Sequence, residues 1–353
     1  MGKLRVGIIG TGGISHCHMN GYKNNLDKVE VVAACDLDEK KLQAYKEQYG
    51  IPNVYTDYNE MLAKENLDAV SVCTWNAEHK NATIAALKAG ANVICEKPMA
   101  MNTEEAEEML KVAKETGKML MVGFVRRYGR DAVAVKDFID NGNMGDIYYA
   151  KAQYLRRRGC PGGWFSDKEY SGGGPLIDLG VHVIDLVRYM SNCPKPVSAY
   201  GATFSGLESD ALDDGAWLST STENKFKQNV EDFATGMVRF DNGLVLQVEA
   251  SFNLNLKSGL GSVELFGTKA GATIDPGVEY FTELNGKLVN IEPASNLKSD
   301  IHEMFVNEMT HFVDCCVIGT PCKSPAEDGV VLMRIIDALY ESAKLGKEVL
   351  INY

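Results

Sequence analysis

Between Leu4 and Phe124 the sequence alternates short β-rich runs with longer stretches of helical spacing. The runs are LRVGIIG, VEVVAACD, AVSVCT, ANVICE and KMLMVGF. Helical patterns separate them at Glu39 to Tyr49, Tyr58 to Ala63, Asn81 to Ala89 and Thr103 to Thr116, with Thr103 the expected cap of the last. Parallel strands cannot be joined by a tight turn and need crossovers of about this length. The alternation therefore predicts an open parallel sheet wound with helices over residues 1–123.

The pattern changes after residue 124. A helix from Asp131 to Asn141 and a strand from Ile147 to Arg157 precede a glycine-rich segment, and long alternating strands follow Pro196. FATGMVRF and LVLQVEASF flank Asp241-Asn242-Gly243, SVELFG and AGATID flank a glycine-bounded turn, and a further pair flanks Asn285-Gly286. Ser324-Pro325-Ala326-Glu327 opens a last helix as a capping box with proline at the first helical position, Gly346 ends it, and EVLINY adds a strand. Residues 124–353 are thus expected to form a second α+β domain that carries a large, mainly antiparallel open sheet. Helices cover one face of such a sheet; a second subunit is the expected cover for the other. The segment Leu207 to Asn229, rich in Ser, Asp, Thr and Asn, reads as a mobile loop.

Composition narrows the partners. At 353 residues the chain exceeds one ordinary core, and 45% hydrophobic with 24% charged residues is globular usage. A net charge of −12 disfavours nucleic acid and anionic membrane surfaces, and no apolar run approaches the ~20 residues that span a bilayer. The opening MGKLRVGIIG has no secretion pattern, and Val6 breaks the myristoylation pattern. Nine cysteines, an odd number set mostly in apolar segments, suit buried thiols in the cytoplasm. His311, Cys315, Cys316 and Cys322 lack a CxxC pair and read as core, so no metal site is expected.

The first β-run ends in the turn VGIIGTGGIS, with spacing Gly10-x-Gly12-x-x-Ser15, and a helix follows. Gly10 permits the tight turn, Gly12 lets the backbone approach a pyrophosphate, and the helix N-terminus, with Gly13 and Ile14 in its first turn, favours the negative charge. Asp36 ends the second run, where a carboxylate accepts hydrogen bonds from ribose hydroxyls and repels a 2′-phosphate. The half reads as a Rossmann domain that favours NAD over NADP, although Lys40 and Lys41 lie close by in sequence.

In the second half GGGPLIDLGVHVIDL spaces Asp178, His182 and Asp185 at i, i+4 and i+7. On a uniform α-helix the three fall within about 60° of one another, opposite Leu179, Val183 and Leu186. That is the layout of an oriented proton acceptor, although a satisfied histidine with two capping or surface acids fits the same spacing. His182 is the candidate base, since an imidazole titrates near neutral pH, and Asp178 would hold one ring nitrogen. Lys97, at the end of a parallel strand, would stabilise alkoxide charge on the substrate. Which of Lys97 and His182 takes the proton stays open.

These motifs resemble the Gfo/Idh/MocA family of oxidoreductases over nearly the whole chain. The resemblance rests on VGIIGTGGIS, TWNAEH (Thr74 to His79), EKP (Glu96 to Pro98), GFVRRY (Gly123 to Tyr128), GGGPLIDLGVHVID and the C-terminal EDGVVLMRIIDALYESAKLGKEV. It implies Lys97, Asp178 and His182 as the catalytic set, and Thr74, Asn76, His79, Glu96 and Lys97 along the cofactor. It also implies Arg127 and Asp185 beside the substrate, where an internal ion pair is the competing explanation. Subunit contacts through the open sheet, commonly in tetramers, follow from it too; a dimer stays open. GFVRRY is particularly similar to inositol dehydrogenases. Trp75, Trp164-Phe165 and the Arg156-Arg157-Arg158 run depart from the family pattern, and an inter-subunit ion pair is the favoured reading of the arginines. The implied activity is NAD-dependent oxidation of a secondary hydroxyl of a sugar, cyclitol or glycoside. A glycoside hydrolase that retains its NAD, oxidising the sugar transiently and eliminating the aglycone, is the alternative, and a non-catalytic NAD sensor a third.

Overall fold

The computed structural model describes residues 2–207 and 226–352, so most of the segment expected to be mobile lies outside the described residues. The chain divides into two compact units, Met1–Tyr128 with Asp300–Val330, and Gly129–Ser299 with Val331–Tyr353.

The first unit carries six parallel strands: β1 (Leu4–Ile9), β2 (Val29–Cys35), β3 (Asn53–Tyr55), β4 (Ala69–Val72), β5 (Asn92–Glu96) and β6 (Leu120–Gly123). Their order is β3-β2-β1-β4-β5-β6, and every pairing is parallel. The chain order reverses between β1 and β4, which opens a crevice at the strands' carboxyl ends, where sheets of this kind bind ligands. The short β3 was absent from the sequence reading. Helices α1 (Gly13–Lys23), α2 (Glu39–Tyr49), α3 (Tyr58–Lys64), α4 (Asn76–Lys88) and α5 (Thr103–Thr116) supply the crossovers.

Two helix starts differ from expectation. α4 begins at Asn76, not Asn81, because extended Trp75 is its N-cap with no side-chain cap bond to mark it in sequence. α5 is capped by Asn102, whose side chain accepts the Glu105 N–H at 2.9 Å, and Thr103 is its first helical residue.

Pattern reading placed everything after residue 123 in the second domain, yet Ile301–Ile318 packs in the first unit. A Cβ on Gly21 of α1 would lie 2.4 Å from Met309 Cβ, so the two helices touch at backbone distance only because residue 21 has no side chain. Asn25 donates to Thr310 Oγ1 at 2.9 Å and Lys28 pairs with Asp314 at 2.8 Å. Met309, Phe312 and Val313 join Val6, Ile8 and Ile94 in one buried cluster.

The second unit contains helix α6 (Arg130–Asp140), the short α7 (Lys168–Ser171) and α8 (Val181–Met190), and the chain's last helices are then α9 (Ile301–Ile318) and α10 (Ala326–Leu345). Its nine strands are β7 (Ile147–Leu155), β8 (Pro196–Phe204), β9 (Phe233–Phe240), β10 (Val245–Ser251), β11 (Leu260–Gly267), β12 (Ala270–Thr273), β13 (Glu279–Leu284), β14 (Lys287–Ile291) and β15 (Val349–Leu350). They run in the order β14-β13-β12-β11-β7-β10-β9-β8-β15. Among the described residues of this sheet, only β7 and β10 pair in parallel. Alternation divides the faces: Ala150, Ala152, Val238, Leu246, Val248, Val263 and Leu265 are buried on one, while Tyr200 and Met237 stand exposed and directly paired on the other. β7 stops at Leu155, two residues short of the expected Arg157, where the chain leaves the ladder.

Candidate active site

In the first unit the glycine turn sits at the carboxyl end of β1. Gly10 has φ +89°, and a Cβ there would lie 2.6 Å from the Cys73 carbonyl oxygen, so both conformation and space demand glycine. Gly12 is the N-cap of α1 and offers no side-chain cap. A Cβ on Gly12 would meet nothing within 4 Å, which leaves the helix N-terminus at Gly13 and Ile14 open to an anion. Ser15, the unusual third small residue, is fully buried, and its hydroxyl donates to the Gly12 carbonyl at 2.7 Å. The hydroxyl thus tightens the turn from inside.

Asp36 follows β2 and faces this turn. Its Oδ2 accepts from the Thr11 N–H at 2.7 Å and from the Thr11 hydroxyl at 2.8 Å, while Oδ1 accepts the Asp38 N–H at 2.9 Å. The carboxylate is therefore held in place by its own turn, and each oxygen keeps acceptor capacity. Thr11, between the two glycines, holds this carboxylate and was missed in the sequence. Lys41 turns toward Asp38, 3.9 Å away.

Two histidines tie the neighbouring strand ends. His79, 1% exposed, has Nδ1 2.7 Å from the Pro98 carbonyl oxygen and Nε2 3.2 Å from that of Thr74. Burial lowers its pKa, against the opposing pull of the two carbonyls, so the ring is neutral and the shorter contact assigns its proton to Nδ1. It links the turn after β4 to the cis Lys97–Pro98 turn after β5. Thr74 is half-buried, Asn76 is buried at the start of α4, and Lys97 is half-buried with its backbone N–H on Glu96 Oε2 at 3.2 Å. Glu96 turns inward: its Oε1 lies 2.8 Å from Nε2 of the buried His18, whose Nδ1 is 3.1 Å from Ser71 Oγ, with the Tyr22 hydroxyl 2.8 Å from the same Oγ. His18 was not foreseen, and His-x-x-x-Tyr on one helix face was its only signal.

Arg127 is almost fully buried and donates to Asp328 Oδ2 at 2.9 Å and to the Lys323 carbonyl oxygen. The ion pair anticipated for it is thus present, with a partner that sequence reading did not name.

In the second unit the helix expected from Asp178 onward is not uniform. Leu176–Gly180 forms a π-helical turn, and α8 begins only at Val181. A wider turn shifts Asp178 relative to His182, so the 60° sector calculated for an α-helix does not apply. Turns of this kind are rare and recur at functional sites. Asp178 is buried, Asp185 is 1% exposed and His182 half-buried. The expected division into a polar and an apolar face also fails, because Val181, Ile184 and Val187 are buried together with Leu179, Val183 and Leu186. A helix apolar on all sides lies inside its unit, so its few polar groups are held in fixed places.

Glu231, buried and overlooked in the sequence, secures the start of this segment. Its Oε2 accepts the Gly174 N–H at 2.9 Å, and its Oε1 accepts the Leu176 N–H at 3.2 Å and the Tyr340 hydroxyl at 2.7 Å. Burial raises its pKa, opposed by these hydrogen bonds. A Cβ on Gly174 would come within 2.3 Å of the Glu231 carbonyl oxygen, and one on Gly173 within 2.2 Å of the Tyr340 hydroxyl, which explains the consecutive glycines.

Among the departures, Trp164 and Phe165 stack on each other at 3.8 Å. The arginines reach backbone carbonyls of their own unit: Arg156 that of Gly159, Arg157 that of Lys257 and Arg158 that of Leu254.

Residues 4–124 match the oxidoreductase family with an NAD-binding Rossmann fold, and residues 132–273 match the GFO/IDH/MocA C-terminal domain. The chain is 36% identical to the D-glucoside 3-dehydrogenase of Escherichia coli K12 over 98% of its own length and 97% of that protein. It is 26% identical to the inositol 2-dehydrogenase of Salmonella paratyphi B over 97% and 95% respectively. A levoglucosan dehydrogenase solved in complex with NADH and levoglucosan shares the fold, with TM-score 0.85 and 23% identity over the full length of both chains.

Proposed function

The chain belongs to the Gfo/Idh/MocA family of NAD-binding oxidoreductases, and from that membership we propose that it oxidises a secondary hydroxyl of a glucoside or closely related sugar with NAD. The observation that carries the reading is the 36% identity, over nearly the full length of both chains, to a D-glucoside 3-dehydrogenase.

The first unit suits the cofactor. The uncapped N-terminus at Gly12 to Ile14 would hold the pyrophosphate, and the Asp36 carboxylate, fixed by Thr11, would hold the ribose. Thr74, Asn76, His79, Glu96 and Lys97 belong to the neighbouring strand ends and complete the proposed cofactor set, with His79 and Glu96 acting through the turns they fix. NAD held by these residues would supply the hydride acceptor for the carbinol carbon.

The chain's own task is the hydroxyl proton. In the second unit His182, carried next to the π turn, serves as base with Asp178 orienting it; in the first unit Lys97 is the proposed hydrogen-bond donor to developing negative charge. Asp185 in the second unit, and Arg127 in the first, held by Asp328, are kept as candidate substrate-binding residues in this reading. The retained-NAD hydrolase is not favoured, because the relatives are dehydrogenases.

A homo-oligomer joined through the sheet face that exposes Tyr200 and Met237 completes the proposal. Cytoplasmic residence suits nine cysteines that are all free thiols, and no described helix is long and apolar enough to cross a membrane. Sedimentation at micromolar concentration tests the assembly; a monomer would remove it. The catalytic set is tested by Lys97→Ala and His182→Ala, each expected to lower kcat by about 100-fold or more with NAD binding retained. Full activity in either variant would remove that residue from the set.

A further inference from the structure

His311, Cys315 and Cys322 form a cluster in the first unit that the proposed dehydrogenation does not use. One ligand atom from each lies within 4.8 Å of the other two. His311 and Cys315 are one turn apart on α9, and Cys322 arrives from the segment between α9 and α10. His311 and Cys322 are half-buried. The sequence reading assigned them to the core; the structure gathers them at its edge.

Three soft donors this close suit either a thiophilic metal ion or thiol–disulfide chemistry. The histidine separates the two. Its Nε2 lies 3.4 Å from Cys315 Sγ and accepts the Lys323 backbone N–H at 3.0 Å. The lone pair a metal would require is therefore engaged in holding the loop that brings Cys322 in.

We propose that Cys315 and Cys322 are a redox-active dithiol that a hydroperoxide oxidises to a disulfide. The geometry sets up an asymmetric pair. The Cys315 S–H, then the His311 ring and the Ser324 N–H, lower the pKa of Cys322 against the cost of burial, while that of Cys315 is raised. Cys322 is thus the nucleophile and Cys315 the resolving thiol. The Cys322 thiolate attacks one peroxide oxygen, the O–O bond breaks, hydroxide leaves, and Cys322 becomes a sulfenic acid. Cys315 sulfur then displaces the sulfenic oxygen, which leaves as water with the Cys315 proton as the S–S bond forms. The two sulfurs lose two electrons and hydrogen peroxide becomes water and hydroxide.

The site has consequences for its surroundings. The Lys323 carbonyl accepts from Arg127, and the Ser324 carbonyl accepts the Val122 N–H of β6 at 2.9 Å. A disulfide would therefore clamp the segment that anchors the end of β6. Cys316, the adjacent thiol, is an internal control because burial raises its pKa to about 12.

The test treats the full-length protein with hydrogen peroxide, blocks free thiols and maps the peptides by mass. The expected product is a Cys315–Cys322 crosslink that dithiothreitol reverses. Cys315→Ser should instead give a dimedone adduct at Cys322, and Cys322→Ser should leave Cys315 reduced. A second readout needs no variant. The iodoacetamide rate at Cys322 should stay level from pH 8 to 6, where a thiol of ordinary pKa (~8.5) slows about 75-fold. Absence of the crosslink, or a Cys322 rate that falls as an ordinary thiol's does, would overturn the proposal. So would a native mass that includes one chelator-removable divalent ion and whose removal restores Cys322 reactivity.

Discussion

Replacing Glu308 by glutamine should change how the stability of the folded chain depends on pH. Glu308 lies on α9 at 0% exposure, and neither carboxyl oxygen has a hydrogen-bond partner among the described residues. Burial, then repulsion from Glu96, raises its pKa well above 4.5, so the folded protein holds a neutral acid where the unfolded chain holds a carboxylate. Folding takes up one proton over that interval. For an acid raised in this way the contribution is complete below the unfolded pKa and is lost as pH rises toward the folded value, approaching about 1.4 kcal/mol per pH unit. A glutamine at this position binds no proton. From pH 5 to pH 6 the stability of wild type relative to Glu308→Gln should therefore fall by about 1 kcal/mol, and continue to fall at higher pH. Urea melts of both proteins at a series of pH values measure it, because titrations they share cancel in the difference. A difference independent of pH would refute the reasoning and mean that Glu308 is ionised when folded.

Gly10→Ala places a Cβ 2.6 Å from the Cys73 carbonyl at φ +89°; it should destabilise by about 2–4 kcal/mol in thermal melts and abolish NAD binding in a fluorescence titration. Asp36→Ala should weaken NAD binding by about 10- to 100-fold, the scale of a hydrogen bond to a charged group, and narrow the preference over NADP, read from Kd values for both. Glu231→Ala leaves the Gly174 and Leu176 N–H groups and the Tyr340 hydroxyl without their carboxylate; a loss of about 3 kcal/mol in urea melts and a kcat at least about tenfold lower are expected.

What the sequence made legible was local. The parallel sheet followed from apolar runs spaced by helix-length crossovers, and the Gly10-x-Gly12 turn with Asp36 beyond it was readable because each element lies next to its partner in the chain. The acidic and imidazole groups of the second unit were found by the same spacing. Their phasing was not, since nothing in LIDLG marks a π turn before α8 begins. The least legible features are the long-range ones. Asp328 is 201 residues from the Arg127 it pairs with, and Glu231 is 57 from the Gly174 N–H it accepts. A window along the chain cannot connect such residues, and a buried carboxylate gives no periodic sign. The start of α4 was missed for a smaller reason: its N-cap, Trp75, makes no side-chain cap bond. His311 and Cys315 looked like core because their helix is amphipathic, and the loop that returns Cys322 to them has no pattern of its own.

The most direct test of the account is NADH formation, followed by absorbance, with glucosides, free sugars and inositols in turn, for wild type and Lys97→Ala and with NAD and NADP added separately. The account predicts NAD-dependent oxidation with glucosides or related sugars as the best substrates, collapsing in the variant. An absence of NADH with every substrate, and of NADH consumption with the matching ketones, from protein that binds NAD would contradict it.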